Sequence, residues 1–257
     1  MSDRLAGRVY IVTGGSKGFG FAIAEALVQR GARVGLLERG RKDLEQAVAA
    51  LGEANAFGVV ADVTCGADIA DAFDRIMHHF GRLDGLINNA GVARPGAVEQ
   101  LIEQEVLLQI HTNLLGTILC CQAAIPLLRA ADNARIVNIS SASAWHMDEM
   151  RHLSVYAATK AAVERFSRDL RVELQAYGIG VSCIRPGAAW TSFADGWDPA
   201  TIRTAFAAWQ DAGPRMDAGM EPAQVAAAVV HVLDYPPGVA VDLLEVRPTM
   251  LIPKPVS

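Results

Sequence analysis

Residues 9–20 read VYIVTGGSKGFG, an apolar run that leads directly into four glycines within seven residues. Strands that are covered on both faces of a sheet are nearly continuous apolar runs. Glycine permits a tight turn and lets the backbone approach a ligand closely. Apolar residues at helical spacing then follow from Phe21 to Val28. We therefore predict a strand at Arg8–Thr13, a glycine turn, and a helix whose N-terminal N–H groups suit a pyrophosphate.

The alternation of short apolar runs with helical patterns continues along the chain, and a second long helical pattern runs from Ala161 to Leu174. Repeated β-α-β order predicts an α/β fold of the Rossmann type: a doubly wound parallel sheet of about seven strands with helices on both faces, in a single domain over residues 1–257. Residues 192–219 interrupt the alternation, are rich in Gly, Pro, Trp and Phe, and are predicted to form a substrate lid. The further predicted strands are Arg33–Glu38, Ala56–Ala61, Leu83–Asn88, Arg135–Ser140, Gly180–Arg185 and Val239–Val246.

Composition excludes several classes of protein. The 257 residues are 51% hydrophobic and 20% charged, which excludes a disordered or collagen-like chain. The net charge of −5 argues against a nucleic-acid partner. The four cysteines form no C-x-x-C pair, so we expect free thiols in a reducing cytoplasm. The six histidines lack the spacing of a metal site, and no metal is predicted.

One stretch has the length of a membrane span. Residues 106–128 contain no Asp, Glu, Lys or Arg, but polar side chains such as Gln109, Asn113 and Thr117 interrupt them. Lipid would leave those groups without hydrogen-bond partners. We predict a helix buried between protein layers and no membrane association. The first apolar run is also too short for a signal peptide.

The glycine turn and a later carboxylate predict a dinucleotide site. An acidic residue at the end of the second strand, roughly 20 residues after the glycines, holds the adenosine ribose of such a cofactor. Glu38 lies 18 residues after Gly20, and its carboxylate would repel a 2′-phosphate. Arg39 and Lys17 could instead grip that phosphate, or be solvated charges. The sequence favours NAD and leaves NADP open.

A tyrosine and a lysine are spaced for proton exchange. Tyr156 and Lys160 stand four residues apart at the start of the second helical pattern, which puts both side chains on one face. A nearby lysine cation would favour the phenolate and lower the tyrosine pKa. The pair is suited to exchanging a proton with an alcohol or carbonyl oxygen.

With the glycine turn, this pair makes the chain resemble the short-chain dehydrogenase/reductase family over nearly its whole length. The motifs that carry the resemblance are Thr13-Gly14-x-x-x-Gly18-x-Gly20, Asp62-Val63, Asn88-Asn89-Ala90-Gly91, Asn113, Asn138-Ile139-Ser140-Ser141, Tyr156-x-x-x-Lys160, and Pro186-Gly187 with Thr191.

The resemblance implies a role for each matching residue. Tyr156 would be the general acid/base, and Lys160 would lower its pKa and hold the nicotinamide ribose. Ser141 would orient the substrate oxygen, and Asn113 would hold a water that links Lys160 to solvent. The implied cofactor-binding residues are Gly14, Ser16, Lys17, Gly18, Phe19, Gly20, Glu38, Arg39, Asp62, Val63, Asn89, Ala90, Gly91, Tyr156, Lys160, Pro186, Gly187 and Thr191.

The catalytic serine has two candidates. Ser141 ends a predicted strand, as the family motif requires, whereas the usual family spacing of 13 residues before the tyrosine points to Ser143. We prefer Ser141, because the strand end fixes its position and the loop that follows can carry two extra residues.

The substrate pocket has weaker signals. His146 and His152 lie in the loop before Tyr156, where packing or exposure is the simpler explanation. Several apolar residues could line a pocket, although some must serve ordinary packing of the lid. They are Trp145, Met147, Met150, Trp190, Phe193, Trp197, Phe206 and Trp209.

The motifs leave three candidate functions. We expect a cytoplasmic NAD(P)-dependent oxidoreductase that acts on a secondary alcohol or ketone with an apolar portion. The alternatives are a non-catalytic nucleotide-binding sensor on the same fold, and an epimerase or dehydratase of the extended relatives, which fits the chain length and glycine spacing poorly. The resemblance also implies a homodimer or homotetramer, paired through helices around Asn113–Leu128 and Ala157–Tyr177.

Overall fold

The computed structural model describes residues 4–146, 151–191, 194, 196–212, 216–217 and 219–252. Seven parallel strands form one sheet, in the order β3-β2-β1-β4-β5-β6-β8. A short antiparallel ribbon pairs β7 (Met216–Asp217) with β9 (Leu251–Ile252). The strands of the main sheet are β1 (Val9–Thr13), β2 (Arg33–Glu38), β3 (Ala56–Val60), β4 (Gly85–Asn88), β5 (Arg135–Ile139), β6 (Gly180–Pro186) and β8 (Leu243–Val246).

Helices cover both faces of this sheet, which confirms the predicted doubly wound fold. They are α1 (Gly18–Gln29), α2 (Arg41–Leu51), α3 (Gly66–Phe80), α4 (Glu103–Ile110), α5 (Gly116–Leu128), α6 (Ser154–Leu174), α7 (Pro199–Ala212) and α8 (Pro222–Leu233). Alternate residues of β1 enter different cores, as the period-2 geometry of a strand requires. Tyr10 and Val12 pack with α1 and α8, whereas Val9 and Ile11 pack with α3, α5 and α6.

The predicted strand bounds hold within two residues except at the last strand. Its expected start was Val239, but β8 begins only at Leu243. Gly238 adopts a φ of +81°, and the Val239 side chain is 49% exposed, so this segment is still a turn. The ribbon of β7 and β9 was not predicted, because strands of two residues carry no periodic pattern.

The apolar stretch over residues 106–128 lies within α4, α5 and the π-helical turn His111–Leu115 that joins them. By length and composition, Glu103–Leu128 would be sufficient to cross a membrane. Its polar side chains are nevertheless buried against protein, since Gln109 and Asn113 are both 0% exposed and hydrogen-bonded. These polar groups therefore have hydrogen-bond partners within the protein, as the sequence predicted, while 39% of the most apolar part of the stretch is buried.

The proposed lid segment contains one helix, α7, among the residues that the structure describes. Two buried indoles attach this region to the body of the protein. Trp197 Nε1 donates to the Ala93 carbonyl (2.8 Å), and Trp209 Nε1 donates to the Arg151 carbonyl (2.6 Å). Both tryptophans therefore serve packing of the segment. Met147, Met150 and Phe193, proposed for the pocket, lie outside the described residues.

Candidate active site

The glycine turn between β1 and α1 leaves no space for side chains. Gly14 and Gly18 adopt positive φ values of +62° and +50°, which only glycine accepts without strain. A Cβ on Gly20 would lie 2.0 Å from the Gly14 carbonyl oxygen and 2.6 Å from Asn89 Nδ2. The missing side chains thus let the turn close against the N-terminus of α1, where unpaired N–H groups favour an anion.

Two side chains fasten this turn to the end of β4. Thr13 Oγ1 accepts hydrogen bonds from the backbone N–H groups of Asn89 and Ala90, both at 3.0 Å. Asn89 Nδ2 donates in return to the carbonyl oxygens of Thr13 and Gly14, again at 3.0 Å. Asn89 therefore joins the two loops that lie at the carboxyl end of the central strands, the usual ligand-binding edge of such a sheet.

Glu38 lies at the end of β2 and is held in a fixed orientation. Its carboxylate accepts hydrogen bonds from Ser16 Oγ (2.7 Å) and from the Arg39 backbone N–H (2.8 Å). The two cations that could bind a 2′-phosphate each face another carboxylate. Lys17 Nζ lies 2.9 Å from Asp43 Oδ2, and Arg39 Nη1 lies 4.0 Å from an oxygen of Asp62.

A cleft of about 330 Å³ runs from these residues to Tyr156 and Lys160. Six predicted site residues, Asn113, Ser16, Gly20, Ser141, Pro186 and Gly187, do not line it directly. The predicted residues that do line it are Gly14, Lys17, Gly18, Phe19, Glu38, Arg39, Asp62, Val63, Asn89, Ala90, Gly91, Tyr156, Lys160 and Thr191.

Seven further residues line the cleft that were not predicted to be catalytic or cofactor-binding. Leu37, Ala61 and Ile139 stand at or beside strand ends, so their position follows once the strand ends are known. Arg94 and Thr112 come from the loop after β4 and from the π-helical turn, and no motif indicated them. The full set of additional residues is Leu37, Ala61, Val92, Arg94, Thr112, Ile139 and Ser140.

Tyr156 and Lys160 are buried on one face of α6, with 8% and 4% of their surfaces exposed. Lys160 Nζ lies 5.8 Å from the centre of the Tyr156 ring and donates a hydrogen bond to the Ile139 carbonyl (2.8 Å). A Cβ on Gly91 would lie 3.3 Å from Lys160 Nζ, so the loop after β4 passes close over the ammonium group. The spacing of the two residues in sequence thus brings them together as predicted.

The two candidate serines occupy different positions relative to the tyrosine. The Ser141 hydroxyl is hydrogen-bonded to the Tyr156 phenol. Ser143 lies behind it, and its Oγ donates to Ser141 Oγ over 3.0 Å. This arrangement places Ser141 in contact with the tyrosine and gives Ser143 a supporting hydrogen bond.

Burial determines the proton affinities of the pair. It raises the pKa of Tyr156 to about 12, opposed by the hydrogen bond from Ser141. It also lowers the pKa of Lys160 to about 8. We expected the lysine cation to lower the tyrosine pKa, and this prediction is wrong for the chain alone, since loss of water around the phenol raises the pKa.

Asn113 lies at the π-helical turn, a feature that often marks functional positions in helices. Its side chain makes three hydrogen bonds to protein groups: Oδ1 accepts from the Val92 N–H (2.8 Å), and Nδ2 donates to the Val92 carbonyl (2.9 Å) and to Thr159 Oγ1 (3.0 Å). Thr159 in turn donates to the Tyr156 carbonyl (2.7 Å). Asn113 therefore connects the loop over the cleft to the helix that carries the tyrosine.

The cleft fits an elongated dinucleotide. The turn offers an anion-binding helix end at one side, and the Glu38 carboxylate suits the hydroxyls of a ribose. Thr112 lines the cleft, and its buried hydroxyl has no hydrogen-bond partner among the described residues. A buried hydroxyl without a partner is costly, so a polar ligand group at this place would satisfy it. In the described part of the chain, no group of His, Cys, Asp or Glu is arranged to hold a metal ion.

Comparisons with known proteins agree with this geometry. A family model described as short chain dehydrogenase matches residues 8–201. An uncharacterized oxidoreductase from Staphylococcus epidermidis is 32% identical over 241 residues, which cover 94% of this chain and 97% of that protein. An alcohol dehydrogenase from Thermococcus sibiricus, solved with 5-hydroxy-NADP, superposes with a TM-score of 0.80 at 25% identity, covering 96% of this chain and 98% of that one. A 3-ketoacyl-(acyl-carrier-protein) reductase from Brucella melitensis, solved with NADH, superposes with a TM-score of 0.80 at 27% identity. The superposition covers 94% of this chain and 97% of that one.

Proposed function

The chain belongs to the short-chain dehydrogenase family of oxidoreductases, and from this premise we propose that it interconverts a secondary alcohol and its ketone with a nicotinamide cofactor. The observation that carries the proposal is the buried pair Tyr156 and Lys160 at one end of a cleft that the glycine turn also lines, with the half-buried Ser141 hydrogen-bonded to the tyrosine. A tyrosine with a lysine beside it at this end of the cleft supports a role for Tyr156 as the proton donor to a substrate oxygen.

The cofactor supplies or accepts the hydride when it is bound. Ser141 orients the substrate oxygen towards the Tyr156 phenol, which gives a proton to the ketone or takes one from the alcohol. Lys160, held by the Ile139 carbonyl, places a positive charge beside the tyrosine. Asn113 and Thr159 keep the helix and the loop over the cleft in register.

Glu38 supports a preference for NAD over NADP. Its carboxylate is oriented by Ser16 and by the Arg39 N–H, so it faces the position expected for the ribose hydroxyls. A 2′-phosphate would meet this negative charge, and Lys17 is already paired with Asp43. The relatives with solved structures were bound to NADH in one case and to an NADP derivative in the other, so the preference stands as a proposal.

Two further proposals concern the substrate lid and the cellular location. Residues 192–219 act as the lid over a substrate with an apolar portion, because Phe206 in this segment remains 44% exposed and Trp190, which precedes the cleft residue Thr191, remains 62% exposed. The protein works in the cytoplasm, as its unpaired thiols suggest.

We also propose a homodimer or homotetramer. Leu115, Val172 and Tyr177 are exposed apolar side chains in the segments expected to pair, and Leu107 and Ile110 of the preceding α4 are exposed as well. Their burial against a second copy would remove this surface from water. Light scattering at micromolar concentration should give a multiple of the 27.4 kDa chain mass, and a monomer mass would contradict the proposal.

The decisive experiment begins with a panel of alcohols and ketones, followed through the absorbance of NADH and NADPH. With the best substrate, Tyr156→Phe should lower kcat by roughly a hundredfold to ten-thousandfold, since only the proton donor is removed. Binding of NADH, followed by fluorescence, should persist in this variant. Tyr235→Phe makes the same change far from the cleft and should keep full activity.

Two results would count against the proposal. Full turnover by Tyr156→Phe would exclude the tyrosine as the general acid/base. Tight binding of NADH by the wild type without turnover of any panel member would instead favour a nucleotide-binding sensor.

A further inference from the structure

A buried charge cluster lies beneath the candidate active site and has no part in the mechanism above. Its centre is Arg185, near the end of β6, whose side chain is only 6% exposed. Nε and Nη2 of Arg185 donate to the two carboxylate oxygens of Glu164, at 2.8 and 2.5 Å. Nη1 donates to Glu245 of β8 over 2.8 Å. Bidentate hydrogen bonds of this kind fix both the distance and the orientation of the two side chains.

The inner half of the cluster is attached to the elements that carry the proposed catalytic groups. Glu164 follows Lys160 by four residues on α6, so the two side chains lie on the same face of the helix. Glu164 Oε1 also accepts from Ser140 Oγ (2.8 Å), and Ser140 directly precedes Ser141. Arg185 itself precedes Pro186 and Gly187, from which the chain continues to Thr191. The ends of β5 and β6 and the helix α6 are thereby joined at one point.

The outer half reaches the loop that follows Ser141. Glu245 Oε1 lies 2.7 Å from His146 Nε2, and the Trp145 ring lies over the Arg185 guanidinium at 5.6 Å. Arg247 adds a weaker contact, with Nη1 at 3.7 Å from the same Glu245 oxygen. The carboxylate of β8 therefore holds both the arginine and the loop that contains the serines.

Stability alone does not account for such a cluster. The cost of removing charges from water can match or exceed the gain from pairing them, and well-packed apolar residues often replace buried ion pairs without loss. A cluster with several directional contacts does, however, restrict the relative positions of the segments that carry it. Catalysis is sensitive to such positions, because a shift of about 1 Å can cost about a hundredfold in rate.

We propose that Glu164, Arg185 and Glu245 are positioning residues. They set the relative positions of Ser141, Lys160 and the loop after β6. They do so through their contacts with Ser140, with His146 and with the ends of the strands. None of the three touches the proposed reacting atoms, so each acts through another residue. The proposal rests on the proposed oxidoreductase activity only for its kinetic consequence, whereas its structural consequence can be measured without a substrate.

The test replaces one carboxylate with its amide. Glu245→Gln keeps the size of the side chain but removes the charge that holds Arg185 and His146. Asp242→Asn is the matched control, since Asp242 lies three residues earlier and pairs with Arg171 at 3.3 Å on the surface. Glu164→Gln extends the test to the inner half, with Asp169→Asn as control, because Asp169 pairs with Arg165 on the exposed face of the same helix.

Two measurements decide the matter. Hydrogen exchange of residues 141–146 should become about tenfold faster in Glu245→Gln, while exchange in β1 and β5 stays as in the wild type. With the substrate found in the panel, kcat should fall by about tenfold to a hundredfold, while the Kd for NADH and the midpoint of urea unfolding stay near wild type. The two control variants should match the wild type in every measurement.

The possible outcomes separate the two hypotheses. Faster loop exchange without any detectable turnover in the wild type would support the positioning role and count against the proposed activity. Loop exchange and kcat equal to those of the controls would overturn the positioning role. A parallel loss of stability, NADH binding and activity would also overturn it, because the cluster would then serve the fold as a whole. If Glu164→Gln fails to fold, the more exposed Glu245 still decides the question.

Discussion

Replacement of Gly20 by alanine is the sharpest test of the glycine turn. The added Cβ would stand 2.0 Å from the Gly14 carbonyl oxygen, whereas a carbon and an oxygen normally meet at about 3.4 Å. The two backbone segments would have to separate by about 1.4 Å. The Cβ would also lie 2.6 Å from Asn89 Nδ2, which donates to that same Gly14 oxygen, so the shift would break the hydrogen bonds that Asn89 makes to Thr13 and Gly14.

The magnitude follows from these contacts. Overpacking of this kind costs about 1–3 kcal/mol, and two hydrogen bonds contribute about 1 kcal/mol each. We expect Gly20→Ala to lower the free energy of unfolding by about 3–5 kcal/mol in urea titrations. Binding of NADH would require the original turn to be restored, so its Kd should rise by roughly a hundredfold.

Gly66→Ala provides the control, because it makes the same change in the first turn of another helix. A Cβ at Gly66 meets nothing within 4 Å, and its backbone does not need a positive φ. This variant should gain about 0.5 kcal/mol, since alanine restricts the unfolded chain. Our reasoning fails if Gly20→Ala binds NADH as tightly as the wild type, or if both variants lose the same stability.

The remaining predictions concern the serines, the cofactor preference and the lysine. Ser141→Ala should lower kcat about a hundredfold in steady-state assays, while Ser143→Ala retains most activity; the reverse order would identify Ser143 as the catalytic serine. Glu38→Ala should shift the ratio of kcat/KM for NAD over NADP towards NADP by at least about tenfold, and a wild type that already prefers NADP would contradict our assignment. The folded-state pKa of Lys160, about 8, lies below its ordinary 10.5, so the unfolded chain binds more protons between these pH values and stability rises with pH there. Urea titrations from pH 7.5 to 9.5 should show the wild type gaining stability relative to Lys160→Met, because the buried thiols of Cys120, Cys121 and Cys183, whose pKa burial raises, act in the opposite sense but equally in both proteins.

The fold was predictable because its strongest signals are local. A strand that is buried on both faces is mostly apolar, and β1, β5 and β6 are buried at every position, although β5 also buries Arg135 and Asn138 and β6 buries Arg185. The glycine turn adds a constraint that few other residues satisfy. The lid segment lacked such signals, since α7 is attached by Trp197 and Trp209 to carbonyl groups far away in sequence. Their aromatic rings predicted a pocket and serve packing instead.

The candidate site likewise contains residues that short motifs predict and residues that only the tertiary structure brings together. Tyr156, Lys160 and Ser141 belong to short motifs and could be named from the sequence. The cluster of Glu164 and Arg185 could not, because a glutamate within a helix looks like part of a solvated face until the tertiary structure shows it buried. Its partners come from three further segments, and no spacing in the sequence indicates such a meeting.

Burial moves the two titrating groups apart, and this bears on how the pair would work. At neutral pH the phenol of Tyr156, with a pKa of about 12, holds its proton, and Lys160, with a pKa of about 8, is largely charged. The chain alone is thus arranged as a proton donor, which suits ketone reduction. Oxidation of an alcohol needs the phenolate, and a positive charge beside the phenol would lower its pKa. The oxidised nicotinamide ring carries such a charge and the reduced ring does not. The proton affinity of Tyr156 would then follow the oxidation state of the cofactor, in the sense that each direction of the reaction requires.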